Sequence, residues 1–175
     1  MTTVFLDRDG VINRNAKPHE YISSPEKFIM LPGAAEGVAL LNKAGFQVFL
    51  ATNQRGIARG IISVSDLDRI HSYMKSLLAK EGAHLDGIYY CPHNENQCDC
   101  RKPGTGMLEK AARDFKVDRN HCWMVGDKKS DVLCGKSFGA KTVLIGNENE
   151  FGADYLCRNL KSAAELICKL EEKEL

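Results

Sequence analysis

The sequence predicts an α/β domain built on a doubly wound parallel sheet. Three observations predict it. Short apolar runs alternate with longer segments of helical period. The runs at Val4–Leu6, Phe46–Ala51 and Cys122–Val125 each end in a polar cluster: Asp7/Asp9, Thr52/Asn53 and Asp127/Asp131. In an open parallel sheet such strand ends converge on one crevice. The length of 175 residues, with 43% hydrophobic residues, suits one core and predicts one domain over 1–175.

The first strand is Val4-Phe5-Leu6, running into Asp7, with Asp9 in the turn and Gly10 to bend the backbone. Val11 to Leu31 reads as a long irregular rim loop. Pro32-Gly33 opens a helix that ends near Gly45. Phe46–Ala51 forms a second strand, followed by the turn Thr52-Asn53-Gln54-Arg55-Gly56. A helix is expected from Ser65, with Asp68 in capping-box spacing. Its core stripe is Leu67, Ile70, Met74, Leu77 and Leu78, which puts His71 and Lys75 toward solvent. Leu85–Tyr90 is the third strand, and a helix follows from about Gly106 to Phe115. Cys122–Val125 is the fourth strand and leads into Gly126-Asp127-Lys128-Lys129-Ser130-Asp131. A short helix then stops at Gly139. Lys141–Ile145 makes a fifth strand, and an amphipathic helix from about Lys161 to Leu170 completes the chain.

The 24 Lys and Arg balance 23 Asp and Glu, for a formal net charge of +1. That gives no general attraction to nucleic acid or to an anionic membrane. No apolar run reaches spanning length. Met1-Thr2-Thr3 enters the first strand without a basic or apolar leader, so no signal peptide is expected. The expectation is a cytoplasmic monomer with no nucleic-acid or membrane partner. Of the seven cysteines, Cys122, Cys134, Cys157 and Cys168 read as buried thiols.

Asp7, Asp9 and Asp127 offer oxygen ligands suited to Mg²⁺, with the Thr52 hydroxyl and the charges of Lys102, Arg101 and Lys128 nearby. An oxygen-bound cation among N–H, hydroxyl and cationic groups describes a phosphoryl site. Phosphate beside three carboxylates requires that cation. Neither G-x-x-x-x-G-K-[ST] nor G-x-G-x-x-G occurs, which disfavours a P-loop or dinucleotide fold. A phospho-accepting signalling module would place its acceptor Asp after strand three, where this chain has Cys91.

Asp7-Arg8-Asp9-Gly10, Thr52-Asn53-Gln54, Lys102 and Gly126-Asp127-x-x-x-Asp131 resemble the four motifs of the haloacid dehalogenase (HAD) phosphatases, in order, over Val4 to Ile145. The resemblance implies a Rossmann-like HAD fold. It makes Asp7 the nucleophile that forms an aspartyl-phosphate and Asp9 the acid and then the base. Thr52 and Lys102 would hold the transferring phosphoryl. Asp127 would complete Mg²⁺ binding with Asp7 and the Asp9 carbonyl. Asp131 reads equally as a support to this site and as a helix-start carboxylate.

Cys91, His93, Cys98 and Cys100 make a Cys₃His set that suits structural Zn²⁺, because four protein ligands leave no open position. Fixing Cys100 would fix Arg101 and Lys102. The surrounding sequence, Leu85 to His93 and Cys98 to Pro103, resembles a zinc-bearing subgroup acting on D-glycero-D-manno-heptose 1,7-bisphosphate or histidinol phosphate. Gln54-Arg55-Gly56-Ile57-Ala58-Arg59-Gly60 and Gly126-Asp127-Lys128 resemble the heptose branch, in heptose-nucleotide synthesis. Two features differ from it: the short loop between His93 and Cys98, and Pro103-Gly104-Thr105-Gly106 in place of P-x-P-G. The alternatives are histidinol-phosphate phosphatase and a nucleic-acid 3′-phosphatase.

A sugar with a second phosphate suits the cations Arg55, Arg59, Arg101, Lys17 and Lys128 at the strand ends. The substrate-binding set is therefore expected to be Asn15, Ala16, Lys17 and Pro18 in the rim loop, Asn53, Gln54 and Arg55 after strand two, and Arg101 and Lys128. No insertion is large enough for a separate cap domain, so three loops must shape an open entrance.

Overall fold

The computed structural model describes residues 1–172. Its elements are β1 (Thr3–Leu6), α1 (Ala34–Lys43), β2 (Gln47–Asn53), α2 (Val64–Lys80), β3 (Gly87–Cys91), α3 (Gly106–Phe115), β4 (Cys122–Gly126), α4 (Lys129–Phe138), β5 (Lys141–Ile145), β6 (Tyr155–Cys157) and α5 (Leu160–Glu172). The six strands form one sheet in the order β3-β2-β1-β4-β5-β6, and every neighbouring pair is parallel. The order reverses direction at β1 and β4. A crevice opens beyond the carboxyl ends of strands at such a reversal.

Side-chain alternation along the central strands sorts the core into two layers. Val4, Leu6, Val48, Leu50, Trp123 and Val125 face α1, α2 and α5. Phe5, Phe49, Ala51, Cys122 and Met124 face α3 and α4. All four residues of β1 are buried, because helices cover both faces. That explains why β1 reads as a continuous apolar run.

The structure shifts four sequence expectations. The helix expected from Ser65 is capped two residues earlier. Ser63 Oγ accepts from the Asp66 N–H at 3.0 Å, and Asp66 Oδ2 accepts from the Ser63 N–H at 2.9 Å. This register puts buried Ile62 and Leu67 at the two positions of a hydrophobic staple, whereas a Ser65 cap would put exposed Val64 and Arg69 there. Second, β6 is a sixth strand, three residues long at the sheet edge and without an apolar alternation to announce it. Third, β3 begins at Gly87 because the Asp86 carboxylate takes the Val48 N–H at 2.7 Å. Fourth, Cys122 and Cys134 are buried as expected, but Cys157 and Cys168 are only partly covered.

No separate domain is inserted over the carboxyl edge among the described residues. The loops after β1, β2 and β3 surround that edge instead. No helix of the described residues is long and apolar enough to cross a membrane.

Candidate active site

Asp7 leaves β1 with its N–H bonded to the Val125 carbonyl of β4 at 2.9 Å, so the two central strands fix its position. A tight turn follows. The Arg8 carbonyl accepts from Ile12 N–H at 2.8 Å and Asn13 N–H at 3.1 Å, and Gly10 has φ +89°. Gly10 is required twice. That φ is costly for an L side chain, and an added Cβ would lie 2.0 Å from Asp127 Oδ2.

The two acids of the turn have different surroundings. Asp7 Oδ1 accepts from Lys102 Nζ at 2.8 Å, and Lys102 Nζ also meets Asp131 Oδ1 at 2.7 Å and the Ala51 carbonyl at 2.7 Å. Burial raises the Asp7 pKa, and the Asp131 charge raises it further against the pull of Lys102 and Lys128. Burial alone would lower Lys102, but Asp131 and Asp7 outweigh it and hold the ammonium well above its ordinary value. The Asp9 side chain turns away from this triad. It accepts from Asn13 Nδ2 at 3.0 Å, Arg8 Nη2 at 3.2 Å and Gln54 Nε2 at 3.1 Å. Burial would raise Asp9, but the Arg8 charge and these hydrogen bonds bring it below the ordinary carboxylate value.

A cavity of about 580 Å³ opens above these groups. Its walls include Asp7, Asp9, Asn15, Ala16, Asn53, Gln54, Arg55, Arg101, Lys102 and Lys128, drawn together from loops far apart in sequence. Two expected substrate residues fall outside it. Lys17 and Pro18 do not line it, and the rim loop instead contributes His19 to Ile22, of which His19 and Glu20 are exposed at the rim. Thr52 is fully buried at the end of β2, where its hydroxyl accepts from Gln54 Nε2 at 2.9 Å. Asn53 acts as a brace as well as a wall: its amide bonds the Lys102 backbone in both directions, at 3.0 Å each. Asp131 takes the Asp127 and Lys128 N–H groups at 3.1 and 3.0 Å while pairing with Lys102, so both readings of it meet in one carboxylate.

The donor set for a hard cation is also assembled. Ligand oxygens of Asp7, Asp127 and Asp131 lie within 4.8 Å of one another. The Lys128 ammonium reaches this cluster of oxygens, 3.0 Å from Asp127 Oδ1, 3.3 Å from the Asp9 carbonyl and 4.0 Å from Asp7 Oδ2. Carboxylate and carbonyl oxygens converging on a cationic centre fit Mg²⁺.

Beside the cavity, Cys91, His93, Cys98 and Cys100 also converge. Cys91 Sγ lies 3.4 Å from Cys98 Sγ and 3.5 Å from His93 Nδ1, and Cys100 Sγ lies 3.2 Å from Cys98 Sγ and 3.3 Å from His93 Nδ1. Thiolates on one tetrahedral zinc sit about 3.7 Å apart, given Zn–S bonds near ~2.3 Å. Burial raises the Cys98 thiol, but hydrogen bonds from Cys100 and the Arg101 backbone bring it down to about 7. Cys91 joins the turn after β2 directly, because its carbonyl accepts from the Gln54 N–H at 2.8 Å.

Comparison with known proteins follows the same lines. A HAD-hydrolase-like family model matches residues 99–163. D-glycero-beta-D-manno-heptose-1,7-bisphosphate 7-phosphatase of Pseudomonas putida is 40% identical over 146 residues, 83% of this chain and 82% of that protein. The chain belongs to the heptose-1,7-bisphosphate 7-phosphatase family of HAD-like phosphatases. The corresponding alpha-anomer phosphatase of Campylobacter jejuni is 37% identical over 98% of this chain and 97% of its own length. Among solved structures, the B. bronchiseptica D,D-heptose 1,7-bisphosphate phosphatase, complexed with magnesium and phosphate, superposes with a TM-score of 0.87. It is 35% identical and covers 98% of this chain and 99% of its own.

Sequence reasoning missed several site residues. His71, expected toward solvent, is buried and bonded to Arg8 Nη1 at 3.1 Å. Arg8 itself is 1% exposed. Glu95 reaches from the cysteine loop to Arg55 at 2.8 Å. The position of His71 beside Ile70 on the apolar face of α2 was the one signal available for it.

Proposed function

We propose that this chain removes the 7-phosphate of D-glycero-D-manno-heptose 1,7-bisphosphate in heptose-nucleotide synthesis. The observation that carries the proposal is the Asp7–Lys102–Asp131 triad on the floor of a cavity whose walls hold Arg55, Arg59, Arg101 and Lys128. Glu20 and Glu95 also line it; Arg55 pairs with Glu95 and Lys128 with Asp127, so Arg59 and Arg101 against Glu20 leave the cationic excess for a second phosphate. A histidinol amine would call for the opposite balance.

In this reading an Asp7 carboxylate oxygen attacks phosphorus as the bond to the sugar oxygen breaks. Asp9, protonated from solvent as the phosphate binds, gives that proton to the leaving oxygen. The Asp9 carboxyl is held ionised in the resting site, and the incoming phosphate charge raises its affinity for the proton. Asp9 then takes a proton from water. The hydroxide attacks the aspartyl-phosphate, releasing inorganic phosphate and restoring Asp7. Lys102 and the Thr52 turn hold the phosphoryl oxygens. Asp7, Asp127 and the Asp9 carbonyl would hold Mg²⁺, which supplies Lewis-acid neutralisation of the phosphate charge. Cys91, His93, Cys98 and Cys100 would hold structural Zn²⁺ and, through Arg101 and the Asn53 brace, keep Lys102 in place.

The test is phosphate release from both heptose bisphosphate anomers, histidinol phosphate and fructose bisphosphate, compared by kcat/KM. A heptose anomer should lead. Histidinol phosphate exceeding both anomers would overturn the assignment, and turnover retained by Asp7→Asn would overturn the mechanism.

A further inference from the structure

We propose that His71 is a positioning residue for catalysis: it anchors the buried Arg8 guanidinium, which in turn aims the Asp9 carboxylate at the leaving oxygen. The inference rests on the reading of Asp9 as the proton-transfer group.

The geometry is a chain of hydrogen bonds across two elements. Asp9 sits in the turn after β1, and His71 comes from the middle of α2. Between them lies Arg8, 1% exposed, with Nη2 3.2 Å from Asp9 Oδ1 and Nη1 3.1 Å from His71 Nε2. A guanidinium only donates, so His71 Nε2 must carry its lone pair and the ring must be the neutral Nδ1–H form. Burial and the Arg8 charge push His71 down to about 3, which keeps the imidazole neutral across the working range.

Neutrality is what the task requires. A carboxylate at position 71 would compete with Asp9 for the Arg8 charge. An imidazole takes one N–H and leaves that charge directed at Asp9. The other acceptor on Arg8 is Gln54 Oε1 at a long 3.5 Å, and Arg8 Nε has no partner among the described residues. Without His71 the guanidinium loses its better fixed point and can pivot about its terminal torsions. Asp9 would keep Asn13 Nδ2 on Oδ1 and Gln54 Nε2 on Oδ2 but lose the fixed place of its one charged donor, so the carboxylate is aimed less sharply. A small misplacement of a proton-transfer group costs rate even when binding is intact.

The test reads leaving-group dependence. The sugar alkoxide must be protonated as it leaves, whereas the nitrophenolate of p-nitrophenyl phosphate leaves unaided. The measured quantity is the ratio of kcat/KM for heptose 1,7-bisphosphate to kcat/KM for p-nitrophenyl phosphate in one preparation, so any unfolded fraction cancels. Asp9→Asn, which removes the proton, should lower the ratio by about 10²-fold. His71→Leu, which removes the acceptor, should lower it by about tenfold, part of the same effect. His71→Gln, which restores a neutral acceptor, should return it to within about threefold of the parent. Equal loss on both substrates in His71→Leu, or an equal deficit in His71→Gln, overturns the positioning role. An unchanged ratio in Asp9→Asn overturns the acid assignment itself, and the relay with it.

Discussion

Replacing Lys102 with Met tests the ion triad under the cavity most directly. Lys102 Nζ sits 2.8 Å from Asp7 and 2.7 Å from Asp131, and its side chain is 1% exposed. Methionine fills similar space without charge and leaves two buried carboxylates and the Ala51 carbonyl without their shared donor. Breaking a buried pair from one side costs about 3–5 kcal/mol. For a chain of this size each kcal/mol lowers Tm by about 2–4 °C, so the expected loss is roughly 6–20 °C. The assay is urea and thermal denaturation in EDTA at neutral pH, beside phosphate release with Mg²⁺, which should fall to background. The pH dependence has a definite sign. Asp7 is already raised above its ordinary 3.8 by burial and by Asp131, and losing Lys102 raises it further. The penalty is therefore full above the folded-state pKa and fades as pH falls from neutrality toward the ordinary carboxylate range. Lys102→Met with Asp131→Asn should recover about 1–3 kcal/mol relative to the single variant. A deficit below about 1 kcal/mol at neutral pH, or one that grows on acidification, would refute the reasoning.

Gly10→Ala should cost about 1–3 kcal/mol of stability and most of the Mg²⁺-dependent turnover, because the new Cβ collides with Asp127 Oδ2 at 2.0 Å. Turnover measured across a Mg²⁺ titration checks it; a parent-like curve contradicts the close approach. Cys98→Ser should lower bound zinc and turnover together, read by elemental analysis and phosphate release. Normal zinc content with an unchanged rate would sink the brace between the cysteine loop and Lys102. Glu171→Gln should cost about 1–3 kcal/mol at pH 7, because Glu171 accepts from Thr2 Oγ1 at 2.8 Å and Trp123 Nε1 at 2.7 Å and pairs with His121 at 3.0 Å. Burial raises Glu171, but these donors bring it below its ordinary 4.5. The parent's advantage should stand above that value and close as pH falls through the lowered pKa, a difference thermal melts from pH 7 to pH 3 can read.

The fold and the floor of the site were legible in the sequence because each is carried by local pattern. Apolar runs ending in Asp7, Thr52 and Asp127 mark strand ends, and a parallel sheet places such ends together whatever the loops do. Gly10 was legible for the same reason. Apolar runs also gave β1 to β5, whereas β6 is three residues at an edge and carries no comparable run. The sequence reading placed the cap of α2 at Ser65, and the structure places it at Ser63. The burial of Ile62 and Leu67 on either side of the Ser63 cap favours that register, and burial is a tertiary property.

The rim and the polar interior were decided by tertiary structure. The sequence placed the substrate stretch at Asn15 to Pro18; the folded loop lines the cavity with Asn15 and Ala16, leaves Lys17 and Pro18 outside it, and adds His19 to Ile22. Helical period alone put His71 toward solvent, because periodicity registers apolar neighbours and cannot show that a buried guanidinium awaits an acceptor. What the sequence determined by itself is the order of the strands' chemistry: which residues end which strand, and that carboxylates and a lysine would meet. Only the tertiary structure decided what each group is bonded to, since Asp7 facing Lys102 and Asp9 facing Arg8 are contacts between residues 95 and 1 positions apart that share no sequence pattern.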